Sequence, residues 1–160
     1  MRFPETLARI ALVAPGALLI LAATPPPKQA SWPTGIYSNI RMSGETGDLG
    51  GQEIQFYPGP DGKEHWVEFV FCEGWCNSSY KAQLFRDATG FRFEYAEPWF
   101  DGDGNVAETN QLRFHFRLSG KKLLLNGDAT GVNGNTQLGP FTLKRASSLF
   151  GIDVANYKEK

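Results

Sequence analysis

The segment Gln111–Leu118 reads QLRFHFRL. Leu112, Phe114, Phe116 and Leu118 alternate strictly with Gln111, Arg113, His115 and Arg117. Successive side chains of a strand point to opposite faces, so this period of two describes one buried face and one wet face. FRFEY (Phe91–Tyr95) repeats the pattern, with Phe91, Phe93 and Tyr95 inward and Arg92 and Glu94 outward. HWVEFVFC (His65–Cys72) differs, being apolar on both faces apart from Glu68. A strand of that kind needs a cover on its outer side. The C-terminal SSLFGIDVANYKEK (147–160) is the candidate, because Phe150, Val154 and Tyr157 fall at helical spacing. Gly151 and Asn156 weaken that short helix.

Working outward, the chain reads as short strands separated by turn residues. The expected strands are Gly35–Met42, Gln52–Tyr57, His65–Cys72, Tyr80–Arg86, Thr89–Tyr95, Gln111–Leu118, Lys121–Asn126 and Thr136–Arg145. Between them lie PGPDGK, RDATG, DGDGN, LSGK and NGDATGVNGN, which supply Gly, Asn, Asp or Pro where a chain reverses. No helical periodicity precedes the C-terminus. The pattern predicts an all-β fold, a single antiparallel up-and-down barrel of about eight short strands over 35–145. A β-sandwich is the alternative. Residues 146–160 form a tail or short helix.

The first residues stand apart. Arg2 and Arg9 flank a basic start, and IALVAPGALLILAA (Ile10–Ala23) is uncharged and apolar. A basic start, a short apolar core and small residues at its end describe a signal peptide over 1–23. A spanning helix needs about 20 apolar residues, so the run is short for a permanent anchor, the alternative reading. The cleavage site is open, with Leu21-Ala22-Ala23 fitting small-residue logic. A Pro-rich linker, 24–34, follows. Removal of 1–23 lowers Lys plus Arg from 16 to 14 and Asp plus Glu from 17 to 16, leaving a net charge of −2. That charge argues against nucleic acid, which requires a basic face, and gives no pull toward anionic lipid. The expectation is export to a periplasmic or secreted location. Contact with a membrane would come only through the N-terminal segment, were it uncleaved.

Cys72 and Cys76 are the only cysteines. The strand pattern puts them on the two arms of a hairpin, where cross-strand partners come close enough for a disulfide, and an exported setting favours oxidation. A redox pair needs Cys-x-x-Cys at a helix start, and the spacing here differs. A zinc site needs four ligands, and only His65 and His115 could add nitrogen. The pair therefore reads as a structural staple holding Trp75 at a tip, with no metal and no cofactor expected.

Other constellations carry less. DGDGNVAETNQL begins like a calcium loop, with Asp101, Asp103 and Asn105 as oxygen ligands. Val106 then stands where a turning glycine is needed and Leu112 where a bidentate glutamate belongs. It reads as an acidic hairpin loop, with weak calcium binding as the alternative. His115 between Arg113 and Arg117 could receive a carboxylate or phosphate. Such a row is more often a solvated face paired with neighbours such as Glu94. No GxSxG, HExxH or phosphate-cradling loop occurs, and MSGETGDLGGQE lacks a P-loop lysine. A hydrolase would have to use His65 or His115, or a pair of carboxylates. No catalytic residue is assigned. Four Trp, twelve Phe and five Tyr are many for this length. They fill a core or line a pocket. Trp75, Trp99 and Phe100, expected in turns, and Tyr95 are the candidate ligand-binding residues.

GIYSNI at the first strand and FTLKR at the last resemble the calycin pattern of lipocalins and their relatives. Gly35 and Tyr37 stand for the opening Gly-x-Trp, with Tyr in place of Trp, and Arg145 or Lys144 for the basic residue over that aromatic. The resemblance covers Gly35 to Arg145. It implies a barrel that carries a small apolar molecule. A second implication comes from a small bacterial family of exported protease inhibitors with compact disulfide-bearing barrels, which act through an N-terminal segment and rim loops. The expected partner is thus a small apolar molecule or another exported protein. A void of order 300 Å³ lined by Phe91, Phe93, Phe114 and Phe116 would favour the carrier, and a filled interior the inhibitor.

Overall fold

The computed structural model describes residues 31–131 and 134–157. The expected leader and most of the linker lie outside the described residues. Nine strands run β1 (Gly35–Ser38), β2 (Arg41–Met42), β3 (Leu49–Pro58), β4 (His65–Gly74), β5 (Tyr80–Arg86), β6 (Phe91–Phe100), β7 (Val106–Ser119), β8 (Lys122–Gly131) and β9 (Gly134–Ala146), followed by helix α1 (Gly151–Asn156). From β3 to β9 each strand pairs antiparallel with the next, and β1 pairs with both β9 and β3. That double pairing closes an eight-stranded barrel and removes the sandwich alternative. The expected first strand, Gly35–Met42, is broken in two. The Gln52 N–H donates to Asn39 Oδ1 at 2.7 Å, while the Asn39 N–H donates to the Gln52 carbonyl at 3.0 Å. The Asn39 side chain replaces a backbone acceptor in the ladder, and β2 resumes on β3 opposite Leu49 and Gly50.

The alternating faces fill the barrel. Phe93 pairs with Phe114 and Phe91 with Phe116, their rings stacked at 5.0 and 5.5 Å. Phe69 meets Phe93 at 4.9 Å, and Phe56 meets Phe116 at 5.0 Å. All six rings are buried, and aromatic pairs in such tilted and offset arrangements add to the area they bury. Gly127, opposite Phe114, is required by this packing, since a Cβ there would lie 2.5 Å from the Phe114 ring. Leu118 continues the inward parity of β7 yet is exposed. β6 begins at Phe91 opposite Phe116, so no β6 residue stands beside Leu118.

Six strands, β3, β4 and β6 to β9, are longer than their sequence pattern predicts, and three of these extensions shape the β6–β8 hairpins. β6 extends beyond Tyr95 to Phe100, β8 beyond Asn126 to Gly131, and β7 begins at Val106 rather than Gln111. The β6–β7 loop is therefore only 101–105, tied by Asp101 Oδ1, which accepts from the N–H groups of Asp103 and Asn105. Pro98 has no N–H to donate. It is tolerated because β5 pairs with β6 only as far as Phe93, leaving that edge of β6 without a partner strand.

The outer face of β4 has its cover. Ile152 of α1 is buried with Leu49, Val70, Cys72 and Cys76 in a second apolar cluster, flanked by Ile40, Leu149 and Val154. The element is where the sequence places it, but its contact face differs. Ile152 points inward, while Phe150 and Tyr157 are exposed, Tyr157 at 75%. The cause is Glu53. Its carboxylate, 1% exposed on the outer face of β3, accepts from the N–H groups of Phe150 and Ile152 at 3.0 and 3.1 Å. A carboxylate satisfying the free N–H groups at a helix start fixes the rotation of the helix.

Candidate functional site

The two ends of the barrel differ. At one end the rings close together. At the other the inward side chains leave a cavity of about 440 Å³ that opens to solvent. Phe114, Phe71 and Phe141 form its floor, with Phe71 stacked on Phe114 at 5.4 Å. Leu112, Leu138 and Tyr80 stand on its walls. Gln52, Glu73, Trp75, Asn77, Ser78 and Glu97 complete the polar rim. The opening follows from strand pairing. β4 pairs with β5 only from Trp66 to Phe69, and β5 with β6 only from Phe91 to Phe93. Above those residues no ladder joins β5 to β6. Instead the Tyr80 and Tyr95 rings pack across the gap at 4.4 Å.

The cysteines set one side of this rim. Cys72 and Cys76 form a disulfide, with Cα atoms 4.3 Å apart. They are not cross-strand hairpin partners as expected. β4 runs past β5 to Gly74, so the bridge ties the end of β4 to its own turn. Inside that turn the Glu73 N–H donates to the Trp75 carbonyl at 3.2 Å, and Gly74 has φ +80°. Both sulfurs are buried under α1. The result is a rigid base from which Glu73 and Trp75 project to the rim.

Charge separates the ends as well. No Lys, Arg or His lines the cavity, and two carboxylates do, Glu73 and Glu97. Burial raises the pKa of the Tyr80 phenol, and the Glu97 charge raises it further. Tyr95 is raised by burial, with Tyr80 and Glu97 adding to it. Both phenols therefore stay protonated near neutral pH and can donate hydrogen bonds. The closed end is cationic. The Arg86 guanidinium lies 4.6 Å from the Trp32 ring centroid, and Trp32 stacks on His65 at 4.1 Å. Arg145 sits 5.7 Å from the Tyr37 ring centroid and donates to the Tyr37 hydroxyl and the Thr34 carbonyl, both at 3.3 Å. Gly35, at φ +84°, lets that guanidinium approach, since a Cβ there would lie 2.7 Å from it. This is the arrangement of basic residue over opening aromatic that GIYSNI and FTLKR imply.

Of the residues singled out in the sequence, Trp75 lines the cavity and is 51% exposed. Tyr95 contacts the cavity wall through Tyr80. Trp99 and Phe100, 58% and 60% exposed, are not in turns. They occupy the end of β6, where Phe100 pairs with Val106, outside the cavity. Sequence reasoning missed Phe71, Tyr80, Glu97 and Gln52. Glu97 was legible in principle, being two residues beyond Tyr95 on the inward parity of β6. Two of the three residues of the basic row are paired: Arg113 donates to Glu94 Oε1 at 3.1 Å, as Arg92 does at 2.7 Å, and His115 Nδ1 lies 3.3 Å from Asp87 Oδ2.

Further depressions lie outside the barrel. One of about 400 Å³, with no aromatic wall, lies over β7–β9 beside His115. Another, of about 610 Å³, runs between Trp75 and the exposed Phe150 and Tyr157 at α1. Among the described residues no three His, Cys, Asp or Glu side chains cluster as a metal site, and no helix is long and apolar enough to cross a membrane. Comparison of the chain with protein-family models, with curated proteins and with solved structures gives no significant match.

Proposed function

We propose that this is an exported, non-enzymatic, lipocalin-like binding protein that takes a small apolar molecule into the open end of its barrel. The cavity carries the reading. Its volume of about 440 Å³ lies within the usual range for small-molecule sites, about 300–1,000 Å³, and its floor of Phe71, Phe114 and Phe141 is apolar with a polar rim. The void differs in position from the one the sequence suggests. Phe91, Phe93 and Phe116 fill the closed half, and only Phe114 reaches the cavity. A disulfide fits the export reading, since such bonds persist in oxidising compartments. The test is titration with N-phenylnaphthylamine, a neutral apolar fluorophore. Saturable binding at one site is expected, and the pair Leu112→Trp and Leu138→Trp, which fills the cavity, should abolish it without unfolding the protein. A folded double variant that binds as well as the parent defeats the proposal.

A second reading has its own observation. Trp99, Phe100 and Val106 form an exposed apolar tip on the β6–β7 hairpin, away from the cavity. A tip of that kind suits docking on another exported protein, as an inhibitor would. Replacing Trp99 and Phe100 with Ser separates the two: the carrier keeps its probe affinity, whereas an inhibitor loses its partner.

A further inference from the structure

We propose that the open end selects amphiphiles whose polar end is a protonated amine, with Glu97 and Glu73 as its counter-charges. The inference rests on the cavity being a ligand site and concerns which ligands it accepts. Two observations lead to it.

Charge is the first. The rim holds two carboxylates and no cation. Two outer-face carboxylates have cationic partners: Glu94 takes Arg92 and Arg113, and Glu68 takes Lys81. Among the described residues neither Glu73 nor Glu97 is in an ion pair. An anionic ligand would bring a like charge beside both of them and leave its own charge unpaired, a desolvation cost nothing in the site offsets.

The second is the wall. Trp75 and Tyr80 line the same cavity, and cations are attracted to aromatic ring faces. A primary ammonium at the rim thus has carboxylates and aromatic rings beside it, while its apolar body rests on Phe114, Phe71 and Phe141.

The experiment is displacement of N-phenylnaphthylamine from the full chain at neutral pH by three matched competitors: octylamine, octanol and octanoate. The expected order is amine first, alcohol second and carboxylate last, with amine and carboxylate about tenfold or more apart. In the double variant Glu73→Gln and Glu97→Gln, the advantage of the amine over the alcohol should shrink about fivefold, while alcohol affinity stays unchanged. Equal or tighter binding of octanoate overturns the inference and leaves the carrier reading standing. An unchanged amine advantage in the double variant overturns the assignment to these carboxylates. Failure of all three to displace a bound probe also overturns the inference alone, whereas failure of the probe to bind removes the carrier reading itself.

Discussion

The closed and open ends of the barrel are built on the same eight strands, yet they solve opposite problems. At the closed end inward positions are Phe56, Phe91 and Phe116, with Trp32 and Tyr37 laid across them and Arg86 and Arg145 over the rings. The rings there are buried against one another, and the guanidiniums turn an aromatic layer into a wettable surface. At the open end inward positions include Gln52, Leu112 and Leu138. These side chains are too small or too polar to close the span, and the missing β5–β6 ladder leaves the wall incomplete. The difference teaches where stability and function are separated. The filled half holds the fold together, and the half that can bind is left underpacked above it.

That division is broken most severely from below. Phe93→Ala removes a fully buried ring that touches Phe69, Phe114 and Phe116. Chemical denaturation should register a loss of about 3–5 kcal/mol. Loss of less than 1 kcal/mol would mean that the closed half is not the stabilising one. Next is the staple. Replacing Cys72 and Cys76 with Ser should cost about 2 kcal/mol, the closure entropy of so short a loop. Because the same turn carries Trp75, probe affinity should fall by more than the change in folded fraction explains. Unaltered affinity in the folded fraction would show that the rim does not depend on the bridge. A smaller effect is expected at the seal, where Arg145→Leu should cost about 1 kcal/mol and leave probe binding at the opposite end intact.

The closed half was legible in the sequence, and the open half only partly. Phe91, Phe93, Phe114 and Phe116 alternate with charged residues because one face meets a packed interior and the other meets water, the condition under which a period of two appears. Above Tyr95 that condition lapses. Both faces of Val106–Asn110 meet solvent or lie at the rim, so the strand continues without an apolar signature. In the sequence Gly127 stands inside the turn-rich NGDATGVNGN. Its role is instead close approach, making room for the Phe114 ring across the ladder. In the sequence EPWFDG, with Trp99 and Phe100, reads as a turn, and only the unpartnered edge of β6 explains why Pro98 is accommodated in a strand. Tyr80 carried no signal at all, since its importance arises from a gap between strands. The cover over β4 was legible as an unmet need, a strand apolar on both faces. Which residue of α1 would meet it was not, because Glu53, about a hundred positions earlier, sets the rotation.

The smallest predicted effect concerns the far end of that helix, and it distinguishes the cover from the barrel. Glu68 sits on the outer face of β4, 7% exposed. Its Oε1 accepts from the Ser79 hydroxyl at 2.7 Å and from Asn156 Nδ2 at 2.9 Å, and Lys81 Nζ lies 3.6 Å from Oε2. Burial pushes its pKa up, but the Asn156 and Ser79 hydrogen bonds and the Lys81 charge outweigh it, and the carboxyl ends below its ordinary value. A lowered folded-state pKa means the unfolded chain binds the proton more readily. The stabilisation is then fully present above the unfolded value, about 4.3 for a glutamate, and is lost as pH falls through the lower folded value. The protection factors of the Val154–Tyr157 amides, which remove the intrinsic pH dependence of exchange, should therefore fall on acidification below about pH 4, before the buried strands around Phe69 lose protection. In Glu68→Gln the same amides should exchange faster at neutral pH and show a weaker acid dependence. If the variant kept the full parental dependence, the acid sensitivity of the cover would not come from Glu68, and the Asn156 contact would hold α1 in place without sensing pH.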